Sequence, residues 1–244
     1  MTDISLDDLL KAVRGQMPVQ AVPFDPAGRR CGLVIVDEVN GFATVGAGSL
    51  APPVPDTHVE RMVVETDHLA RAFAKHDAPI LAFLDTHEPG KPEPPYPPHC
   101  EAGSGEEDLV PELAWLEDCP QAALLRKDCI NGFVGGISLD DGGNAVVDWI
   151  NAHGLDSVLV VGICTDICVM DFVLTLLSAR NHGMTPGLTD IVVYTAACAT
   201  YDLPRETAES LGLPETQAHP QGLTHHMGLY FMASRGAMLA SEIV

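Results

Sequence analysis

The sequence predicts an α/β fold, a three-layer α/β/α sandwich with a mostly parallel central sheet, and two observations carry this. Short unbroken aliphatic runs, Leu33-Val-Ile-Val36, Ile80-Leu-Ala-Phe-Leu84 and Val158-Leu-Val-Val161, suit strands covered by helices on both faces. Between the first two runs lies a long amphipathic pattern over 57–76, with Val59, Met62, Val63, Leu69, Ala72 and Phe73 at helical spacing. A strand, a crossover helix and a second strand in that order make the sheet parallel.

In chain order, Leu6, Leu9, Leu10 and Val13 mark one face of a peripheral helix over 4–14, expected to lie on a subunit neighbour. Strands follow at 31–37 and 79–84, on either side of the 57–76 helix. A short helix is expected over 109–119, with Leu109, Leu113 and Trp115 or Leu116 inward, and a third strand over 122–127. Residues 128–136 read as a loop, and Asn144 opens a helix that Gly154 closes. The run at 158–161 reads as the central strand. Gly162 breaks it, Thr165 and Asp166 offer N-cap chemistry, and a helix runs from Cys168 to about Arg180. A fifth strand covers 189–194. One domain is expected over 1–244, with an N-terminal extension (1–30) and a C-terminal helical tail (205–244) whose His219, His225 and His226 read as groups that satisfy carbonyls.

The balance of 13 Lys+Arg against 34 Asp+Glu, a formal net charge of −21, repels phosphate backbones and argues against a nucleic-acid partner. There is no apolar run of 18 or more residues and no basic-then-apolar N-terminus, so no membrane partner is expected and the cytoplasm is the expected compartment. Seven cysteines, an odd number, fit reduced thiols.

Chemistry-bearing residues gather at predicted strand ends. Asp37, Asp85 and Lys127 each close a strand, and a fourth strand leads to Cys168; in a parallel sheet such ends lie side by side. Cys168 falls in the first turn of a helix, where backbone N–H groups and the helix dipole favour an anion, so its thiol is expected to shift toward thiolate. The alternative is a cysteine packed under a loop. Asp37 would take the thiol proton and hand it to a leaving amine, with the Lys127 ammonium holding the thiolate. Free N–H groups at Cys164 and Cys168 could form an oxyanion hole.

Asp85 and His87 stand two apart on extended chain, and a loop with six prolines between Pro89 and Pro98 returns Glu93 and His99 to them. Two imidazoles with one or two carboxylates suit Zn²⁺, Fe²⁺ or Mn²⁺. A polar loop with incidental histidines is the bland alternative.

The segments Val36-Asp37-Glu-Val-Asn-Gly-Phe42, Arg126-Lys127 and Gly162-Ile-Cys-Thr-Asp-Ile-Cys168-Val resemble the three motifs of the isochorismatase-like cysteine hydrolases. Asp85-Thr-His87 with Tyr96-Pro-Pro-His99 is similar to the metal loop of the nicotinamidases within that superfamily, and segments such as Arg126-Lys-Asp-Cys-Ile-Asn-Gly-Phe-Val-Gly135 resemble those of plant type. The resemblance implies hydrolysis of nicotinamide to nicotinate and ammonia, a step of NAD salvage, through a thioester on Cys168. It also implies a cis peptide before Cys164, one divalent metal ion, zinc first, on Asp85, His87 and His99, the pyridine ring between Phe42 and Tyr96, and a homo-oligomer. In place of a further metal-loop histidine found in many members, this chain offers Glu93. The other readings are a superfamily hydrolase acting on a different small amide, and a non-catalytic small-molecule-binding homologue.

Overall fold

The computed structural model describes residues 5–91 and 93–244. Its strands are β1 (Val22–Phe24), β2 (Cys31–Val36), β3 (Ile80–Asp85), β4 (Ala122–Lys127), β5 (Ser157–Ile163), β6 (Asp190–Ala199) and β7 (Met238–Ile243). Its α-helices are α1 (Leu6–Gln16), α2 (Asn40–Ala43), α3 (Thr57–Lys75), α4 (Gly132–Gly135), α5 (Ala145–Ala152), α6 (Cys168–Asn181), α7 (Arg205–Ser210) and α8 (Gln221–Ser234). The strands form one sheet in the order β1-β7-β6-β5-β2-β3-β4, and every paired neighbour runs parallel.

Alternation along each buried strand builds two cores. Leu33, Ile35, Ile80, Ala82, Leu84, Leu159 and Val161 meet Val59, Met62, Leu69 and Phe73 of α3 on one face. Val34, Val36, Leu81, Phe83, Val158 and Val160 meet Trp149 of α5, Phe172 and Leu176 of α6 and Met232 of α8 on the other. Because β2 to β4 build outward one way and β5 to β7 the other, the direction of winding reverses between β2 and β5. Open α/β sheets bind ligands at that reversal. Here Gly162, at φ 123°, lets β5 approach β2 so closely that a Cβ would fall into the Val36 carbonyl.

The structure differs from the sequence expectation at both ends. The N-terminal extension contains β1, and the helical tail ends in β7, which lies between β1 and β6. Neither has a long β-branched run; β1 has three residues, two of them exposed, and two of the six residues of β7 are exposed. The stretch 128–136, read as a loop, holds the short helix α4, capped by the Asn131 side chain. Residues 109–119 contribute a 3₁₀ turn at Ala114–Asp118, with Leu109, Leu113 and Leu116 buried as expected. The peripheral helix buries none of its residues within the chain; Leu6 and Leu9 are exposed. All seven cysteines are free, and among the described residues no helix is long and apolar enough to cross a membrane.

The core also encloses an acid. Glu38 is fully buried; Oε1 accepts from Thr66 Oγ1 at 2.6 Å and Oε2 has no partner among the described residues. Burial pushes its carboxyl well above the usual range, the Thr66 bond opposing only weakly. A neutral acid in the fold stabilises fully below the unfolded-state value, near 4.3, and that stability is lost as pH rises toward the raised folded value, at about 1.4 kcal/mol per pH unit. Glu38→Gln removes this slope. In denaturant titrations Glu38→Gln should be more stable than wild type at pH 8, with the gap narrowing toward pH 5; a gap independent of pH would contradict a neutral Glu38.

Candidate active site

Three parallel strands aim the site. Asp37 follows β2, and its φ of 54° is a left-handed value that aspartate tolerates better than most residues, turning its side chain off the strand. On β3 and β4, Asp85 and Lys127 are register partners. The backbone N–H of Asp37 donates to Phe83 O at 3.1 Å, tying the first acid to the second strand.

Register therefore places one ammonium between two carboxylates. Lys127 Nζ lies 2.7 Å from Asp85 Oδ1 and 2.9 Å from Asp37 Oδ2, with all three side chains sealed from solvent. Burial alone would discharge the lysine, but Asp37, Cys168 and Asp85 raise its pKa well above the ordinary value. The same ammonium, with the two imidazoles, holds Asp85 far below the usual carboxylate range against burial. Asp37 behaves oppositely: burial lifts its carboxyl well above that range even beside Lys127. Both the ammonium and the Cys168 thiol act on Asp37, yet among the described residues neither of its oxygens has a well-directed hydrogen bond. It is a buried acid with free acceptor capacity, close to a neutral-pH working range, as a general base requires.

Cys168 opens α6 and is 8% exposed. The expectation of a thiol shifted toward thiolate is reversed. Burial pushes its pKa well above that of a free thiol, Lys127 opposes this, and Asp37 and Cys164 add to it. Desolvation outweighs the helix terminus because Cys168 is packed into the core beside Val36, Phe83 and Phe133 rather than open to water. The resting pair is a neutral thiol beside a raised acid. The Ile163–Cys164 peptide is cis. The N–H groups of Ile167 and Val169 donate to Cys164 O, whereas among the described residues those of Cys164 and Cys168 donate to no loop or side-chain acceptor. Thr165 and Asp166 do not cap α6: its N-cap is Ile167, without a side-chain bond, because both residues are engaged elsewhere.

On the far side of Lys127 the metal-type residues converge. The ligand atoms of Asp85, His87 and His99, all buried, lie within 4.8 Å of one another. Asp85 Oδ2 is 3.0 Å from His87 Nε2 and 3.2 Å from His99 Nε2. His99 Nδ1 faces Pro97 O at 2.8 Å; a carbonyl only accepts, so Nδ1 carries a proton and Nε2, which faces Asp85, is the nitrogen an ion would take in place of its proton. Glu93 Oε2 stands 3.7 Å from both Nε2 atoms, and its Oε1 accepts from Ile130 N at 2.9 Å. Two imidazoles and a carboxylate aimed at one buried point fit a divalent ion. Phe42 and Tyr96 flank His99, with ring centroids 5.6 and 6.1 Å from it.

All the predicted site residues are thus brought together. What sequence reading missed is that Asp85 serves both halves, giving one oxygen to Lys127 and the other to the histidines. A strand-end register could have suggested it. It also missed that Thr165 and Asp166 bond to histidines some fifty to sixty residues on, which no local signal discloses.

A doubly wound α/β fold with a buried acid, ammonium and thiol at its winding reversal, beside a metal-type donor set, defines a cysteine-hydrolase type of site. Residues 31–217 match the isochorismatase domain, and the chain belongs to that family. It is 53% identical to Nicotinamidase 1 of Arabidopsis thaliana over 212 residues, covering 87% of this chain and 86% of the relative. It is 30% identical to the nicotinamidase/pyrazinamidase of Mycobacterium tuberculosis over 184 residues, covering 69% of this chain and 89% of that protein. The crystal structure of a Bacillus subtilis nicotinamidase shares the fold, with a TM-score of 0.62 at 21% identity over 86% of this chain and 99% of that one.

Proposed function

We propose that the protein hydrolyses nicotinamide to nicotinate and ammonia. The observation that carries this reading is the 53% identity to an Arabidopsis nicotinamidase over 87% of the chain; the site supplies the chemistry. Asp37 takes the Cys168 proton as sulfur attacks the carboxamide carbon, and the carbonyl oxygen becomes an oxyanion facing the N–H groups of Cys164 and Cys168. As the C–N bond breaks, Asp37 gives its proton to the departing nitrogen and ammonia leaves a thioester. Water then attacks the thioester, passing a proton to Asp37, and the C–S bond breaks; Asp37 returns the proton to sulfur and nicotinate is released. Lys127 keeps Asp37 in place throughout and offsets the negative charge that moves between acid and sulfur.

A divalent ion, zinc in our reading, would be held by Asp85, His87 and His99 with Glu93 as further ligand, and would supply a Lewis-acid contact for the pyridine nitrogen. Phe42 and Tyr96 would stack on the two faces of the ring. The exposed Leu6 and Leu9 of α1 support a homo-oligomer, and the reaction would place the enzyme in NAD salvage.

The test is ammonia release from nicotinamide by purified protein, with and without chelator. Release that falls on chelation and returns with Zn²⁺ supports the reading; none from zinc-loaded protein sinks nicotinamide as substrate. In zinc competition titrations, Glu93→Gln should weaken affinity by at least about 10-fold, in the range typical of groups that support a metal site. Unchanged affinity would remove Glu93 from the ligand set.

A further inference from the structure

The polar groups left over from this chemistry meet on the turn that carries Cys168. Asp166 Oδ2 lies 2.8 Å from His219 Nε2, and Asp166 Oδ1 accepts from Thr200 Oγ1 at 2.7 Å. The other nitrogen of His219 faces Tyr201 O at 2.9 Å. A carboxylate and a carbonyl both accept, so both ring nitrogens donate and His219 is an imidazolium. Its direction of titration agrees: burial disfavours the charge, but Asp166 and the Tyr201 carbonyl raise its pKa. The Tyr201 ring stacks on it at 3.9 Å and 13°, and paired backbone bonds between Leu203 and His219 fix the segment. One residue earlier in the turn, the buried Thr165 Oγ1 meets His225 Nδ1 at 2.9 Å. On α8, a Cβ at Gly228 would come within 2.8 Å of Asp166 Cα, so helix and turn are in close contact.

Two consecutive residues just ahead of Cys168 are therefore each held by a histidine from the segment after β6. Both histidines lie beyond residues 31–217, the part matched by the family. A structural element needing only a helix cap would use these two side chains on α6 itself; here they are spent on the C-terminal segment instead.

We propose that Asp166 and His219, seconded by Thr165 and His225, are positioning residues that fix the Cys164–Cys168 turn so that the Cys168 sulfur and the two N–H groups of the turn meet the substrate carbonyl together. The proposal rests on the reading of Cys168 as nucleophile. Binding of the pyridine ring, which falls to other residues, should be spared.

The experiment compares wild type with His219→Ala, His219→Gln, Asp166→Asn and Asp166→Asn/His219→Ala on two readouts: kcat and KM for nicotinamide, and the rate of iodoacetamide alkylation at Cys168, followed by peptide mass spectrometry. Expected are a kcat lowered about 10- to 100-fold in His219→Ala, as for a reacting group misplaced by a fraction of an ångström to an ångström, with KM within about twofold, and a double variant no slower than the slower single. His219→Gln, whose amide can still donate to Asp166, should recover most of kcat, and it keeps the test open if the alanine variant fails to fold. Cys168 alkylation should change at least about fivefold in His219→Ala. Wild-type kcat and alkylation in His219→Ala, strictly additive losses, or equal losses in the alanine and glutamine variants would overturn the proposal. The two failures are separable. An active Cys168→Ala defeats the nucleophile reading, whereas an inactive Cys168→Ala beside an unaffected His219→Ala defeats the positioning role alone.

Discussion

Cys168→Ala should abolish ammonia release from nicotinamide, by about 10⁴-fold or more, while leaving nicotinamide binding intact. The magnitude follows from removing the one atom that forms the covalent bond; nucleophile deletions in covalent hydrolases cost this much or more because the remaining groups have nothing to activate. The fold should tolerate the change. Cys168 is buried and burial pushes its thiol up, toward the neutral form, so alanine removes one sulfur, and the loss of stability should stay within about 1–2 kcal/mol. Quenched-flow mass spectrometry should detect a nicotinoyl adduct on wild type and none on the variant. Isothermal titration of the variant with nicotinamide should still report binding, since Phe42, Tyr96 and the metal-type residues are untouched. Turnover above a tenth of wild type would falsify the assignment of Cys168 as nucleophile.

Lys127→Met should cost both activity and stability. Its ammonium is the sole cation shown within salt-bridge distance of Asp37 or Asp85 among the described residues, apart from the two imidazoles on Asp85. Removing it leaves two buried carboxyl groups facing a methyl-capped chain, and breaking a buried pair in this way costs about 3–5 kcal/mol. The sign with pH is fixed by linkage. Without the ammonium, the Asp37 carboxyl, already raised by burial, rises further, so the variant holds its stability below about pH 4 and loses it as pH rises through the raised value. The deficit relative to wild type should therefore be larger at pH 8 than at pH 5. Turnover should fall by at least about 10²-fold, the usual loss on removing one well-placed electrostatic group, and zinc affinity should change as well because Asp85 loses the partner on its Oδ1. Asp37→Asn/Lys127→Met should be less destabilised than Lys127→Met alone, since it buries one fewer uncompensated acid. A Lys127→Met protein with wild-type stability at pH 8 would mean that Asp37 and Asp85 are not both charged or that water replaces the ammonium.

The family resemblance and the site residues were legible because they sit where local patterns point. Asp37, Asp85 and Lys127 end apolar runs, and a run's end is visible in the chain itself. Cys168 sits at a strand-to-helix junction marked by Gly162, and the proline-rich loop between His87 and His99 shows its stiffness in its composition. The thiol's titration was not legible in the same way. A helix terminus is a local feature and argued for thiolate, whereas burial in the core depends on everything packed around it and wins. The N-cap expectation for Thr165 and Asp166 failed for a related reason: a side chain that could cap its own helix found histidines at positions 225 and 219 instead.

By itself, then, the sequence determined the layers of this protein, its central strands, the helices between them and the residue types gathered at the strand ends, because hydrophobic periodicity and chain punctuation record which face of each element is covered. Only the tertiary structure decided that β1 and β7 extend the sheet, that Asp85 is shared between Lys127 and the histidines, and that His219 and His225 of the C-terminal segment bond to Asp166 and Thr165 ahead of Cys168. Those facts depend on strand order and register, which bring residues far apart in the chain to hydrogen-bond distance, and a buried polar group takes whichever partner that packing presents because leaving it unpaired costs more than any local preference.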